Sequence, residues 1–248
     1  RSVEPVYPLT DGGNFFYRAS VEFQFDGIDD AATVQVVGES DGVIAGTTEW
    51  RGRTLWFAPE GGLQPSSYYT ATLEHCAGSV DVSFRTTSLG EPLDVDVVGK
   101  TYAIDFGSAR WVEPAGVGSL LSSLIDENML LLGVIEASER EIDFLGAQSE
   151  EDSVDQDYCT PTFGFPEASD FSDSPFFRSA PRDTTLSVGG SEFNMKNLAF
   201  SGAFASDASI IGGMVLAGAL DARDLMGTLE SSGLLSGDDP SEVCSLIS

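Results

Sequence analysis

The sequence predicts a mainly β protein in two parts: a β-sandwich over residues 1–88, then a larger β-rich domain over 89–248. The second part is expected to be a curved sheet or barrel carrying a few short helices. Three observations lead there. Residues 3–87 alternate apolar and polar side chains in short runs separated by turn signals, the period-two pattern of strands with one buried face. A turn-prone hinge follows at Ser88-Leu89-Gly90-Glu91-Pro92. Beyond it glycines recur inside apolar runs, which marks bends, bulges or close backbone approach.

In the first part, Val21, Phe23 and Phe25 alternate with Glu22 and Gln24, and residues 33–37 follow the acidic turn at Asp26, Asp29 and Asp30. Residues 47–50 and 54–57 flank Arg51-Gly52-Arg53, a compact hairpin signal. Residues 69–73 and 80–84 close the set. Short strands at this spacing argue for a sandwich, with Trp50 and Trp56 packing it or its edge.

Pro8 with Asp11-Gly12-Gly13 comes first in a longer pattern, followed by Val21-Glu22-Phe23-Gln24-Phe25 and residues 46–50. Leu55-Trp56-Phe57-Ala58-Pro59, Leu63-Gln64-Pro65, Tyr69-Thr70-Ala71-Thr72-Leu73 and Phe84-Arg85-Thr86-Thr87 continue it. This order resembles the bacterial immunoglobulin-like (Ig-like) domains of surface-layer proteins and large adhesins. The pattern departs from that family at the last hairpin, where His75-Cys76-Ala77-Gly78 stands in place of an Asp-x-x-Gly-Asn turn. The resemblance implies a sandwich that acts as a spacer or presentation module of an exported protein and carries no catalytic residues of its own.

The second part opens with a strand over 100–106. Val117, Leu120, Leu121, Leu124 and Ile125 then fall at i, i+3, i+4, i+7 and i+8, which predicts an amphipathic helix near 116–126. Residues 129–137 and 141–147 form a hairpin around Ser138-Glu139-Arg140. After a long polar connection, 184–188, 192–195, 198–205 and 209–220 read as strands, with Gly202, Gly212, Gly213 and Gly218 inside them. Two helices are expected at the end. Asp221 caps one near 221–231, and Asp239-Pro240-Ser241-Glu242 opens another near 239–247 with a cap acid, a first-turn proline and a reciprocal glutamate.

The chain has 40 acidic residues against 12 basic ones, a net charge of −28, and Lys100 and Lys196 are its only lysines. Residues 1–88 hold 12 acidic and 5 basic residues, a net of −7, so −21 of the −28 lies beyond the hinge. Nucleic acid is excluded as a partner on this balance, since a polyanion is repelled and few cations exist to displace its counterions. Scarce lysine on an otherwise ordinary composition resembles halophilic proteins, whose hydrated acidic surface keeps them soluble; a calcium-rich exterior is the alternative cause. The longest apolar stretch, 117–135, is broken by Asp126, Glu127 and Asn128, so no transmembrane segment is expected. The chain opens at Arg1 without a leader, and an export signal is expected to have been removed, with any anchor outside this chain.

Cys76, Cys159 and Cys244 make no CxxC pair and His75 is the only histidine, so the usual zinc spacings are absent. A disulfide between Cys159 and Cys244 is expected, with Cys76 outside it. No phosphate loop, dinucleotide fingerprint or Gly-x-Ser-x-Gly elbow occurs, and no catalytic residues are assigned. No cofactor is expected. The one ion for which the sequence supplies ligands is calcium, through Glu150, Glu151, Asp152, Asp155 and Asp157; a solvated acidic loop is the favoured reading there, and the turn at Asp26, Asp29 and Asp30 is read in the same way. Phe163, Phe165, Phe171, Phe176 and Phe177 fall in the polar connection, where they either cover the domain's own core or meet a ligand or partner; Trp111 is a further candidate contact.

Together these readings predict an exported, non-catalytic, structural or adhesive protein of the cell surface or extracellular space, whose first domain presents the second to a surface partner or to another copy. The alternatives are a carrier with an apolar pocket lined by Leu132, Val134, Phe200 and Leu216, and, more remotely, a secreted hydrolase. The charge makes a first prediction. Added sodium chloride should raise the melting temperature by screening self-repulsion. Replacing magnesium with calcium at matched ionic strength should raise it further if the 150–157 loop binds the ion. Equal midpoints in the two salts would leave that loop as a solvated turn.

Overall fold

The structure, a computed structural model, describes residues 2–9, 12–104, 110, 129–150, 153–165, 167–188 and 191–220. It is mainly β, and among the described residues there is no helix, hence none long and apolar enough to cross a membrane. The helices expected near 116–126, 221–231 and 239–247 lie outside the described residues. The chain divides into two compact units. One is Arg1–Val95 with Gly202–Gly213, and the other is Asp96–Ser201 with Met214–Ser248.

Two sheets build the first unit. In one, β1 (Val3–Tyr7) pairs with β3 (Val21–Phe25), β3 with β7 (Thr54–Pro59), and β7 with β6 (Gly46–Arg51), all antiparallel. The other has the order β2 (Gly12–Phe15), β9 (Gly78–Thr86), β8 (Tyr68–His75), β4 (Thr33–Gly38), β5 (Gly42–Val43). Its β2 runs parallel to β9 while the remaining pairs are antiparallel. The first run of chain thus divides between the sheets, β1 closing one edge and β2 the other.

Alternation decides which side chains face inward. On β8 Tyr69, Ala71 and Leu73 are buried, on β9 Val82, Phe84 and Thr86, and on β7 Leu55 and Phe57. A series of rings links the two sheets: Tyr7 stacks on Phe15 at 4.9 Å, Phe15 meets Phe84 at 4.6 Å, and Phe84 stacks on Tyr69 at 5.8 Å. The predicted hairpin forms at Gly52, whose φ of 58° suits the tight turn between Arg51 and Thr54.

Tyr69 is 2% exposed, so its hydroxyl must find partners inside the fold. It accepts the Gln64 N–H at 2.8 Å and donates to Asp41 Oδ2 at 2.6 Å. Beside it Thr86 Oγ1 donates to the Gln64 carbonyl at 2.7 Å and accepts the Ser67 N–H at 2.9 Å. Burial, reinforced by the Asp41 carboxylate, pushes the Tyr69 phenol from 10.0 up to about 12.

The first unit is completed by the returning segment Gly202–Gly213. Asp94 N–H donates to the Ser206 carbonyl at 2.8 Å. Gly213 sits at φ 59° with its α-carbon against the Phe16 ring, where a Cβ would overlap the ring, so both the backbone and the space require glycine.

The second unit is built on a curled nine-stranded sheet. Its order is β10 (Thr101–Ile104), β11 (Leu130–Ala137), β12 (Glu141–Gln148), β14 (Ser169–Asp170), β15 (Phe176–Arg178), β17 (Ser191–Phe204), β16 (Arg182–Val188). In addition β13 (Phe163–Gly164) pairs with β12, and β18 (Ile211–Leu220) pairs with β17. The alternating pattern divides β17 into two strands, yet it runs as one. Asn197 takes a left-handed φ of 51° and the register with β16 shifts between Arg182 and Thr184, which absorbs the break in alternation. Asp183 holds this bulge, accepting the Asn197 N–H at 3.1 Å and Lys196 Nζ at 2.7 Å. The Lys196 bond above all holds the Asp183 carboxyl below its usual range.

Tyr69→Phe removes one hydroxyl, leaving the part-buried Gln64 N–H without its acceptor and the Asp41 carboxylate without its donor. The expected loss is about 1–3 kcal/mol in chemical denaturation. Because the folded phenol titrates above the unfolded one, its stabilisation is complete below pH 10 and is lost as the pH rises towards about 12. The variant should therefore show a shallower alkaline decline in that window than the parent; parallel curves would contradict the assignment.

Candidate functional site

The phenylalanine-rich connection folds onto its own sheet. Phe163 meets Phe165 at 5.8 Å, Phe165 meets Phe200 at 4.8 Å, Phe200 meets Phe177 at 6.0 Å, and Phe177 meets Phe144 at 4.8 Å. Phe171, Phe176 and Phe177 are buried, whereas Phe163 and Phe165 are half-buried. Arg182 fastens this end: its guanidinium lies 5.8 Å from the Phe165 ring centre and Nη1 donates to the Gly164 carbonyl at 2.8 Å. Trp111 lies outside the described residues. Of the residues expected to line a carrier pocket, Leu132, Val134 and Phe200 are packed in the interior and Leu216 is exposed on β18.

The acidic loop uses its carboxylates locally. Asp157 accepts the Cys159 N–H at 2.7 Å on Oδ1 and the Thr160 hydroxyl at 2.6 Å on Oδ2, and these bonds, Thr160 first, hold its carboxyl below the usual range. Asp155 Oδ2 accepts the Ser153 hydroxyl at 3.3 Å, and the Glu150 N–H donates to the Asp155 carbonyl at 2.8 Å. Glu151 and Asp152 lie outside the described residues. Cys159 is an exposed thiol, and its expected partner Cys244 also lies outside them.

A different group of donors is assembled at one end of the first unit. Inward parity on β8 runs through Tyr69, Ala71 and Leu73 to His75, which is half-buried and edge-on to Phe25 of the other sheet, ring centres 6.2 Å apart. His75 pairs with Gly78 across the turn Cys76-Ala77, which places Cys76 at the exposed tip. Asp29 approaches from the turn between β3 and β4. It is 4% exposed, and its carboxylate accepts the Ala31 N–H at 3.1 Å and the Cys76 N–H at 2.9 Å. One ligand atom each from Asp29, His75 and Cys76 lies within 4.8 Å of the other two, the one such group among the described residues.

Zinc spacings in the sequence pass over this trio because Asp29 comes from a distant turn and His75-Cys76 form an adjacent pair instead of a spaced one. The available signal is the departure from the Ig-like pattern at that very hairpin, together with an aspartate in the opposing turn. No protein-family model matches the chain, and no curated protein is similar to it.

The rings make a direct prediction. Phe177→Ala should cost about 3–5 kcal/mol in denaturant unfolding, as for a buried aromatic cavity, whereas Phe163→Ala at a half-buried ring should cost about 1–2 kcal/mol. Equal, small losses would mean that the cluster is a surface feature.

Proposed function

We propose that the first unit is an Ig-like sandwich that presents the second unit outside the cell, and that the protein is a non-catalytic structural or adhesive component there. Strand order carries this reading. The sheets β1-β3-β7-β6 and β2-β9-β8-β4-β5 correspond to the A-B-E-D and G-F-C sheets of an immunoglobulin sandwich. On this reading β1 and β2 are the two halves of a first strand split between the sheets, and β5 extends the second. Tyr69 adds independent support. It stands at the start of the strand equivalent to F, and its hydroxyl bonds back to the Gln64 backbone, as in the tyrosine corner of such domains.

Such sandwiches expose their turns at the two ends and bury side chains between the sheets, so they serve as rigid spacers. The acidity fits that setting, because a net charge of −28 keeps a surface component hydrated and disfavours nonspecific association. The partner is an extracellular surface or a second copy of the chain, met through the second unit.

Intact cells of the source organism stained with an antibody against residues 1–88 should fluoresce as brightly as permeabilised cells. Staining that appears only after permeabilisation would place the protein inside and end the reading.

A further inference from the structure

The geometry points to a binding site for a borderline transition-metal dication, zinc being the ion it suits best, at Asp29, His75 and Cys76. The donor set is one carboxylate oxygen, one imidazole nitrogen and one sulfur, all within 4.8 Å of one another. This combination fits zinc, cobalt and nickel, and does not fit calcium or magnesium, which take oxygen. Charge agrees as well. A thiolate and a carboxylate together neutralise a dication, and on binding the Cys76 S–H bond breaks, its proton passing to solvent as the S–metal bond forms.

The site is held from behind. The Ala31 and Cys76 amides orient the Asp29 carboxylate, the role that outer hydrogen bonds play around metal ligands. Phe25 meets the His75 ring edge-on and limits its rotation. The hydrogen bond that His75 Nδ1 accepts from the Ala77 N–H is 3.4 Å long, near the limit of such a bond, and costs little to give up. Cys76 at the tip is open to solvent, which gives the ion a way in. Three protein ligands leave a fourth position for water or an external group. The inference is independent of the surface role proposed above.

The test uses the full chain carrying Cys159→Ser and Cys244→Ser, so that Cys76 is the only thiol, in millimolar calcium to occupy the acidic surface. Cobalt(II) should produce a near-ultraviolet thiolate-to-cobalt band that saturates at one ion per chain and is bleached by one equivalent of zinc. Adding Cys76→Ser should abolish the band, and His75→Ala should weaken cobalt affinity by at least about tenfold. Absence of the band, or a band indifferent to His75→Ala, would overturn the proposal. Should the double serine variant fold poorly, the natural chain, kept reduced so that Cys159 is a thiol, gives the answer by peptide mapping. Zinc should slow alkylation of Cys76 by iodoacetamide at least about tenfold relative to Cys159, and no slowing, or equal slowing of the two, would overturn it.

Discussion

The hydroxyl of Tyr69 ties together three separate pieces of the first unit: its own strand, the crossing at Gln64 that precedes it, and the turn at Asp41 beyond β4. A buried phenol hydroxyl without partners costs free energy, so the fold must bring the Gln64 amide and the Asp41 carboxylate to it. Meeting that demand fixes where β8 begins and which of its faces is turned inward. The ring series Tyr69, Phe84, Phe15, Tyr7 then carries this choice across the interior into the other sheet.

A one-residue slip of β8 would turn its whole inward set outward, because side chains alternate strictly along a strand. Tyr69, Ala71 and Leu73 are held in the interior, so His75 necessarily faces inward at the strand's far end. There the sandwich runs out of core, and His75 meets Phe25 and the Asp29 turn instead of a packed layer. The two-residue turn leaves Cys76 beside it. The donor trio is therefore a consequence of strand parity and turn length, and Asp29 joins it by accepting the Cys76 amide.

Much of the first unit was legible in the sequence because one-sided burial imposes period two, as at Tyr69, Ala71 and Leu73, whereas at Val21-Glu22-Phe23 the expected alternation fails because Glu22 is buried as well. The strand β2 was not legible, since Gly12-Gly13 offers neither alternation nor β-branched residues, and only its pairing with β9 makes it a strand. In the second unit the bend in β17 hid its continuity, because a left-handed Asn197 reverses the parity on either side of it. Gly213 was legible as a close approach, though its neighbour Phe16 lies too far away in sequence to be foreseen. The metal-donor trio escaped for a similar reason: no spacing rule links residue 29 to residues 75 and 76.

Part of the acidity has a structural use that composition conceals. Asp29, Asp96, Asp157, Asp170 and Asp207 each accept the N–H two residues onward, building a turn with the side chain itself. Repeated use of this device places carboxylates at loop corners, where Asp96, Asp170 and Asp207 are exposed while Asp29 is buried. All of this presumes a first unit locked at the Gln64 corner. Hydrogen exchange of the Gln64 amide in the full chain tests that lock most directly. The account predicts that this amide exchanges only through global unfolding, with the same protection as the amides of Leu73 and Val82 in the central strands; exchange at the rate of an open loop would contradict it.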